Sequence, residues 1–431
     1  MTLFNKIKMN SNLGSFISDS IIYSFFNVIN KLIPFFLLPL LVRVLSSIQY
    51  GQYAIFLNIE SLLIPVVSFN IYSAITVHFF NESFNIKEYI STLLFGLFLL
   101  LILFLTISIF INPSFILLSG LSKIQFQIAL ITASLSSFFT GVLSVYRLMR
   151  KPIYFGVLNF LQSIGLFICI ILISRVNPKF ESIVLVRLLY FFLFSVLVIV
   201  FLFYKAMLAV DISKEWLIKM FKFSAPTVVY SLSAFVFLSS DRLLIKYFLG
   251  FKEVGHYSAI YQIASIVSLI GVSINAAWMP WLFENLNKKS LKINRFIVKL
   301  TYLIVLFLFL FGLVCCFIYS YMANKLLPLE YYSFLNIGYP IIIGFVFEGI
   351  YLLVSPYILY VEKTKYNALI GVFIAIINVC CNVFLIPRFG IIGASYSFLL
   401  SWIFLTIAFF IFSIKVYPMP WLSFFKSKID D

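Results

Sequence analysis

Charge is scarce in this chain. Of its 431 residues only 11% are Asp, Glu, Lys or Arg and 63% are hydrophobic, against about a quarter charged and about half apolar in soluble domains. A water-soluble globule is excluded. Only two histidines occur, His78 and His256. With no large polar loop and no nucleophile-and-base constellation, a membrane-embedded transferase or polymerase is disfavoured. The sequence has no Gly-Lys dipeptide, so the GxxxxGK[ST] phosphate loop of an ATP-driven engine is missing. Energy for any transport then has to come from an ion gradient or from the substrate's own gradient. The five cysteines, Cys169, Cys315, Cys316, Cys380 and Cys381, lie inside apolar runs without metal-site or redox spacing. They read as small packing residues.

What the chain has instead is a succession of apolar runs. Stretches such as STLLFGLFLLLILFLTISIFI are apolar on every face, which fits membrane-spanning helices of about 20 residues and not the alternation of a barrel strand. The reading is an all-α polytopic membrane protein with about twelve transmembrane helices in two six-helix lobes around a central cavity. The predicted spans are 18–45, 52–79, 90–112, 124–148, 153–174, 182–205, 223–249, 254–283, 296–319, 336–361, 366–386 and 391–416. Lys6 and Lys8 precede no cleavable pattern, so the first span is expected to stay. The formal charge of +16 is spread between spans and forms no nucleic-acid-reading module. It follows the positive-inside rule: about 20 basic residues fall on one side and about 10 on the other when both termini are cytoplasmic. The expected domains are an N-terminal lobe 1–205, a cytoplasmic amphipathic linker 206–222 and a C-terminal lobe 223–431. In the linker, Trp216, Leu217, Met220 and Phe221 alternate with lysines, a pattern for a helix lying on headgroups.

The lobes repeat. VRVLSSIQYGQYA (Val42 to Ala54) and KYFLGFKEVGHYS (Lys246 to Ser258) align Leu45 with Leu249, Gly51 with Gly255 and Tyr53 with Tyr257, all at an offset of 204. A second echo aligns Lys151 and Tyr154 with Lys363 and Tyr366 at an offset of 212. Both fall at the same helix number of a six-plus-six division, which makes the repeats parallel in the membrane. Parallel six-helix halves that rock about a central site are a transporter architecture.

Charges inside the apolar runs are the candidate functional residues, because each costs about 2.5–3.5 kcal/mol at mid-membrane unless it meets a cavity or a partner. Lys31 lies ~20 Å from either end of the first span, too deep to snorkel easily. Ser20, Ser24, Asn27 and Lys31 step by four, three and four along one helix face, and Pro34 and Pro39 then bend the helix. In the eighth span Ser258, Tyr261, Ser265, Ser268 and Asn275 keep one face as well. Cavity lining and interhelical hydrogen bonding both fit the uncharged members of the stripes. Glu348, near the middle of the tenth span, reads as a proton-coupling carboxylate, a partner of Lys31, or a protonated buried acid. Glu60 lies nearer a membrane interface. Asp241 and Arg242 are neighbours about 100° apart on a helix, so their partners are expected elsewhere.

Three stretches carry a family likeness: Lys222 to Ala264, with its Asp-Arg pair, Leu-Gly and Gly-x-Tyr; Leu38 to Phe56; and Asn378 to Ser401. The chain resembles the polysaccharide or O-antigen (Wzx-type) flippases of the multidrug/oligosaccharidyl-lipid/polysaccharide exporter superfamily. That resemblance implies two six-helix lobes around a cavity that opens alternately to each side of the bacterial inner membrane. It implies as cargo an undecaprenyl-pyrophosphate-linked oligosaccharide carried from the cytoplasmic to the periplasmic leaflet, with membrane lipids and the polysaccharide polymerase machinery as partners. No cofactor or metal is implied beyond a proton or sodium gradient. Lys31, Asn27, Ser24, Ser265, Ser268 and Asn275 are the expected cargo-binding residues, and Glu348, Glu60, Asp241 and Arg242 the expected coupling or gating residues. A cationic cavity suits pyrophosphate. A multidrug antiporter of the same superfamily would place an acid where Lys31 stands, and a glycan polymerase or ligase would need a substantial outer loop.

Overall fold

The computed structural model describes residues 13–79, 85–112, 119–209 and 211–421; the side chains of 13–21, Ser24, Asn27, Thr364, Lys365, Asn367 and Ala368 lie outside the described set. Every regular element among the described residues is helical. In chain order these are α1 (Leu13–Val44), α2 (Ser47–Val67), α3 (Ile86–Phe110), α4 (Lys123–Leu148), α5 (Pro152–Val176), α6 (Phe180–Tyr204), α7 (Lys214–Leu249), α8 (Phe251–Ala264), α9 (Ile266–Leu286), α10 (Leu291–Leu326), α11 (Gly338–Tyr360), α12 (Thr364–Phe389) and α13 (Ile391–Val416). A short helical turn, Ile71–His78, follows α2, and a 3-10 segment, Leu329–Ile337, leads into α11. Among the described residues eleven helices are long and apolar enough to cross a bilayer; α1, with 32 residues, stands where the first predicted span lies. The protein is a multi-pass membrane protein. Helices are the form such sequences take because every backbone polar group is satisfied within the segment.

Local chemistry marks the breaks. The side chain of Ser46 accepts the Gln49 backbone N–H at 3.3 Å and starts α2. Ser122 and Gln125 form a reciprocal capping box at the start of α4. Between α7 and α8 the hinge is Gly250, at φ 97° and ψ −178°, a region open essentially only to glycine. The eighth predicted span is two helices, broken at Ser265, whose hydroxyl donates to the Gln262 carbonyl at 2.7 Å.

Contacts divide the chain into two compact units, with the boundary between Phe235 and Val236. This boundary falls inside α7. The segment expected to lie on headgroups is the beginning of that continuous helix, and Trp216 and Met220 are 5% and 0% exposed within the first unit. Trp216 packs on the rings of His78 and Tyr89 at 5.4 and 5.5 Å. Lys219 pairs with Glu215 and lays its ammonium 4.8 Å from the Trp216 ring centroid, so the aromatic and basic residues of this segment are in contact.

The packing repeats between units. In the first, α2, α3 and α6 pack on α4, and α5 packs on α6; in the second, α9, α10 and α13 pack on α11, and α12 packs on α13. Both sequence echoes mark helix junctions. Ser47 and Phe251, the first residues of α2 and α8, are 204 apart; Pro152 and Thr364, the first of α5 and α12, are 212 apart. At the second echo even the backbone agrees. Arg150 and Glu362 both take positive φ, 52° and 59°. The following lysines close the same turn: Lys151 N–H donates to the Tyr146 carbonyl at 3.0 Å, and Lys363 N–H to the Ile358 carbonyl at 3.2 Å.

Candidate functional site

Each unit encloses a charged cluster built on the tyrosine of the repeated phrase. In the first, Glu60 of α2 is 3% exposed. Arg187 of α6 clasps it in a fork, Nε to Oε2 at 2.8 Å and Nη2 to Oε1 at 3.1 Å, and also hydrogen-bonds the Tyr53 hydroxyl. Two parallel charge-assisted bonds are the geometry that makes such a pair tolerable away from water. Arg187 is the residue that sequence reasoning missed. An arginine inside a predicted span was itself the signal, since it demands a carboxylate partner.

The second unit solves the same problem with adjacent residues. Asp241 and Arg242 do pair, Oδ1 to Nη1 at 3.2 Å, so their partners do not all lie elsewhere. The carboxylate folds back along its own helix to accept the Arg242 backbone N–H at 2.8 Å. Its other oxygen accepts the Tyr257 hydroxyl at 2.6 Å. Arg242 then lies 4.2 Å above the ring of Tyr261, a cation–π contact. Glu348 of α11 is half-buried and acts electrostatically on Tyr261, so α7, α8 and α11 all contribute to one charged cluster.

Each unit also holds a network of neutral polar groups. In the first unit Asn70, at φ 52°, donates to the Ser231 hydroxyl at 2.9 Å and the Thr227 carbonyl at 3.2 Å, and its own carbonyl accepts from Ser224 at 3.0 Å. These bonds fix the first half of α7 to the end of α2. In the second unit the Ser240 hydroxyl donates to Asn378 at 3.0 Å, Asn378 donates to Ser401 at 2.9 Å, and Asn382 donates to Asn378 at 3.1 Å. A buried chain of this kind ties α7, α12 and α13 together.

Lys31 stands apart from these networks. It is exposed on α1, about 13 residues or ~20 Å before Val44, and it makes no ion pair among the described residues. Ser24 and Asn27 share its helix, but their side chains lie outside the described residues. Of the second stripe, Ser265 is taken up by its own helix, while Ser268 and Asn275 are half-buried. The Asn275 Oδ1 is buried without a hydrogen-bond partner among the described residues.

The helix order and the repeated packing within each unit define the class: a polytopic all-α protein with the fold of a transporter. The chain is similar to the lipid II flippase MurJ in its inward closed conformation, with a TM-score of 0.71 and 14% identity over 95% of this chain and 94% of that one. It is also similar to an inward-facing multidrug resistance MATE family transporter of the MOP superfamily, with a TM-score of 0.66 and 13% identity over 93% of this chain and 96% of that one. Identities this low establish the fold alone. More specifically, residues 16–286 match the model of the polysaccharide biosynthesis protein family, and the chain belongs to that family. It is 27% identical over 293 residues to the Lsg locus putative protein 1 of Haemophilus influenzae, a match covering 64% of this chain and 68% of that protein.

Proposed function

We propose that this protein is a flippase that carries an undecaprenyl-pyrophosphate-linked oligosaccharide from the cytoplasmic to the periplasmic leaflet of the bacterial inner membrane, by alternating access and with both termini cytoplasmic. The observation that carries the reading is a contrast in charge. Glu60 and Asp241, both buried, are neutralised by arginines within their own units. Lys31 is exposed at mid-helix and without an ion pair among the described residues. A lysine kept in that position at a cost of about 2.5–3.5 kcal/mol suits an anionic cargo, and a pyrophosphate is the charged part of a lipid-linked sugar. Asn27 and Ser24, four and seven residues before Lys31 along α1, are further cargo-binding residues in this reading, and so are Ser265, Ser268 and Asn275 of the second unit. A proton or sodium gradient drives the cycle, with Glu348 as the coupling group, and Glu60, Asp241 and Arg242 hold the helices that move. The polysaccharide polymerase machinery takes the product.

Lys31→Ala is expected to abolish surface glycan while the protein stays in the membrane at normal abundance, with the lipid-linked precursor accumulating on the cytoplasmic face. Normal glycan in that variant removes Lys31 from the mechanism. An unchanged lipid pool together with new drug sensitivity on deletion of the protein points to an antiporter. Glu348→Gln is expected to flatten the dependence of export on the proton gradient, and an unaltered dependence reduces Glu348 to a packing residue.

A further inference from the structure

The second unit has an open apolar groove of about 590 Å³ between α9 and α10, walled by Ala277, Trp278 and Trp281 on one side and Leu303, Ile304 and Phe307 on the other. Its floor is rigid. The Trp278 indole N–H donates to the Leu353 carbonyl at 3.0 Å, and the Trp281 ring lies 5.4 Å from Trp278 and 6.2 Å from Phe296. Its lip is open, with Leu303 and Phe307 54% and 50% exposed.

The neighbouring sequence indicates what fills it. Lys292, Arg295, Lys299, Leu303 and Phe307 step by three and then four residues, so three exposed cations and two groove residues share one face of α10. The cations occupy the first ~12 Å of the helix and the groove residues the next ~12 Å. Lys288 and Lys289 add charge where α9 and α10 join, and Glu284 is the acid on that rim. One continuous surface thus runs from a cationic patch of headgroup depth into an apolar trough within the hydrocarbon core.

We infer that this groove holds the polyprenyl tail of a lipid-linked pyrophosphate, with the pyrophosphate against Lys292, Arg295 and Lys299. A single trough takes one chain, whereas a phospholipid brings two. Three successive cations match a doubly phosphorylated head better than a phosphodiester. The assignment rests on the flippase reading for the identity of the lipid. It adds a site that holds the lipid before its pyrophosphate passes to Lys31, and the tail need not leave the bilayer while the sugars cross.

The test uses the full chain in nanodiscs of zwitterionic phosphatidylcholine and a farnesyl pyrophosphate bearing a diazirine on its terminal isoprene. Photolysis is expected to label α9 and α10, with undecaprenyl pyrophosphate competing and an equal amount of phosphatidylglycerol not. Labelling elsewhere, or equal competition by phosphatidylglycerol, overturns the site. Ala277→Phe with Leu303→Phe fills the groove at two exposed positions and is expected to remove the label. Replacing Lys292, Arg295 and Lys299 by Gln, which alters only surface side chains, is expected to raise the half-labelling concentration about tenfold; no change overturns the head assignment. The two readings fail separately. If Lys31→Ala stops glycan export but the filled groove exports at the wild-type rate, the tail site falls and the flippase stands. If the groove labels in a protein that exports no glycan, the tail site stands and the flippase falls.

Discussion

Tyr53 and Tyr257 occupy the same place in the two halves of this protein, yet they anchor differently built ion clusters. In the first unit the arginine comes from α6 and the carboxylate from α2. In the second both come from adjacent positions of α7. The repeat therefore preserves the tyrosine and the helix junction but not the source of the charges. What the hydrocarbon enforces is neutralisation, and any neighbouring helix can supply it. The junctions differ in the same way. Ser46 opens α2 with a side-chain cap, while Gly250, 204 residues on, opens α8 with a backbone conformation at φ 97° that needs no side chain.

The comparison can be broken most severely at the interhelical pair. Arg187→Ala leaves the Glu60 carboxylate buried without its fork and is expected to cost about 3–5 kcal/mol, read as a lowered unfolding temperature in detergent. Replacing both Glu60 and Arg187 with Leu and Met is expected to restore most of that loss; no recovery means that Arg187 packs rather than neutralises. A smaller effect follows at the tyrosine of the second unit. Tyr257→Phe removes one charge-assisted bond to Asp241 and is expected to cost about 1.5–3 kcal/mol, because Asp241 keeps Arg242 and a backbone donor. An effect as large as that of Arg187→Ala would show that Asp241 depends on the Tyr257 hydroxyl as much as Glu60 depends on its fork. The mildest probe exchanges the junction residues. Ser46→Gly is expected to cost only a few tenths of a kcal/mol, whereas Gly250→Ser forces a side chain into a glycine-only region at about 1–3 kcal/mol. Equal shifts in the two variants would mean that the junctions are not opposite solutions.

The sequence made the repeat legible because it lies in turn chemistry. The second echo, two matched residues in a biased composition, proved to mark a junction whose backbone bonds recur at Arg150 and Glu362. It underdetermined the faces. Trp216 and Met220 carry the pattern of a headgroup-binding helix, yet they are buried, because periodicity shows which residues share a face but not which surface that face meets. Glu60 was placed by depth alone. Its partner, 127 positions later in the chain, is invisible to any local rule. Lys31 was legible for the opposite reason: its distance from the ends of α1 follows from counting residues along one helix.

By itself the sequence determined that this chain crosses the membrane many times as helices, that its two halves carry repeated junctions, and that charge inside them is rare enough to matter. Those properties follow from composition and from spacing within single segments. The tertiary structure alone decided which charges are neutralised and which remain exposed, that the linker begins a long helix packed into the first unit, and that α9 and α10 enclose a trough below a cationic face. Each depends on residues that meet only after distant helices pack, and in hydrocarbon the energy of a charge is set by what it meets.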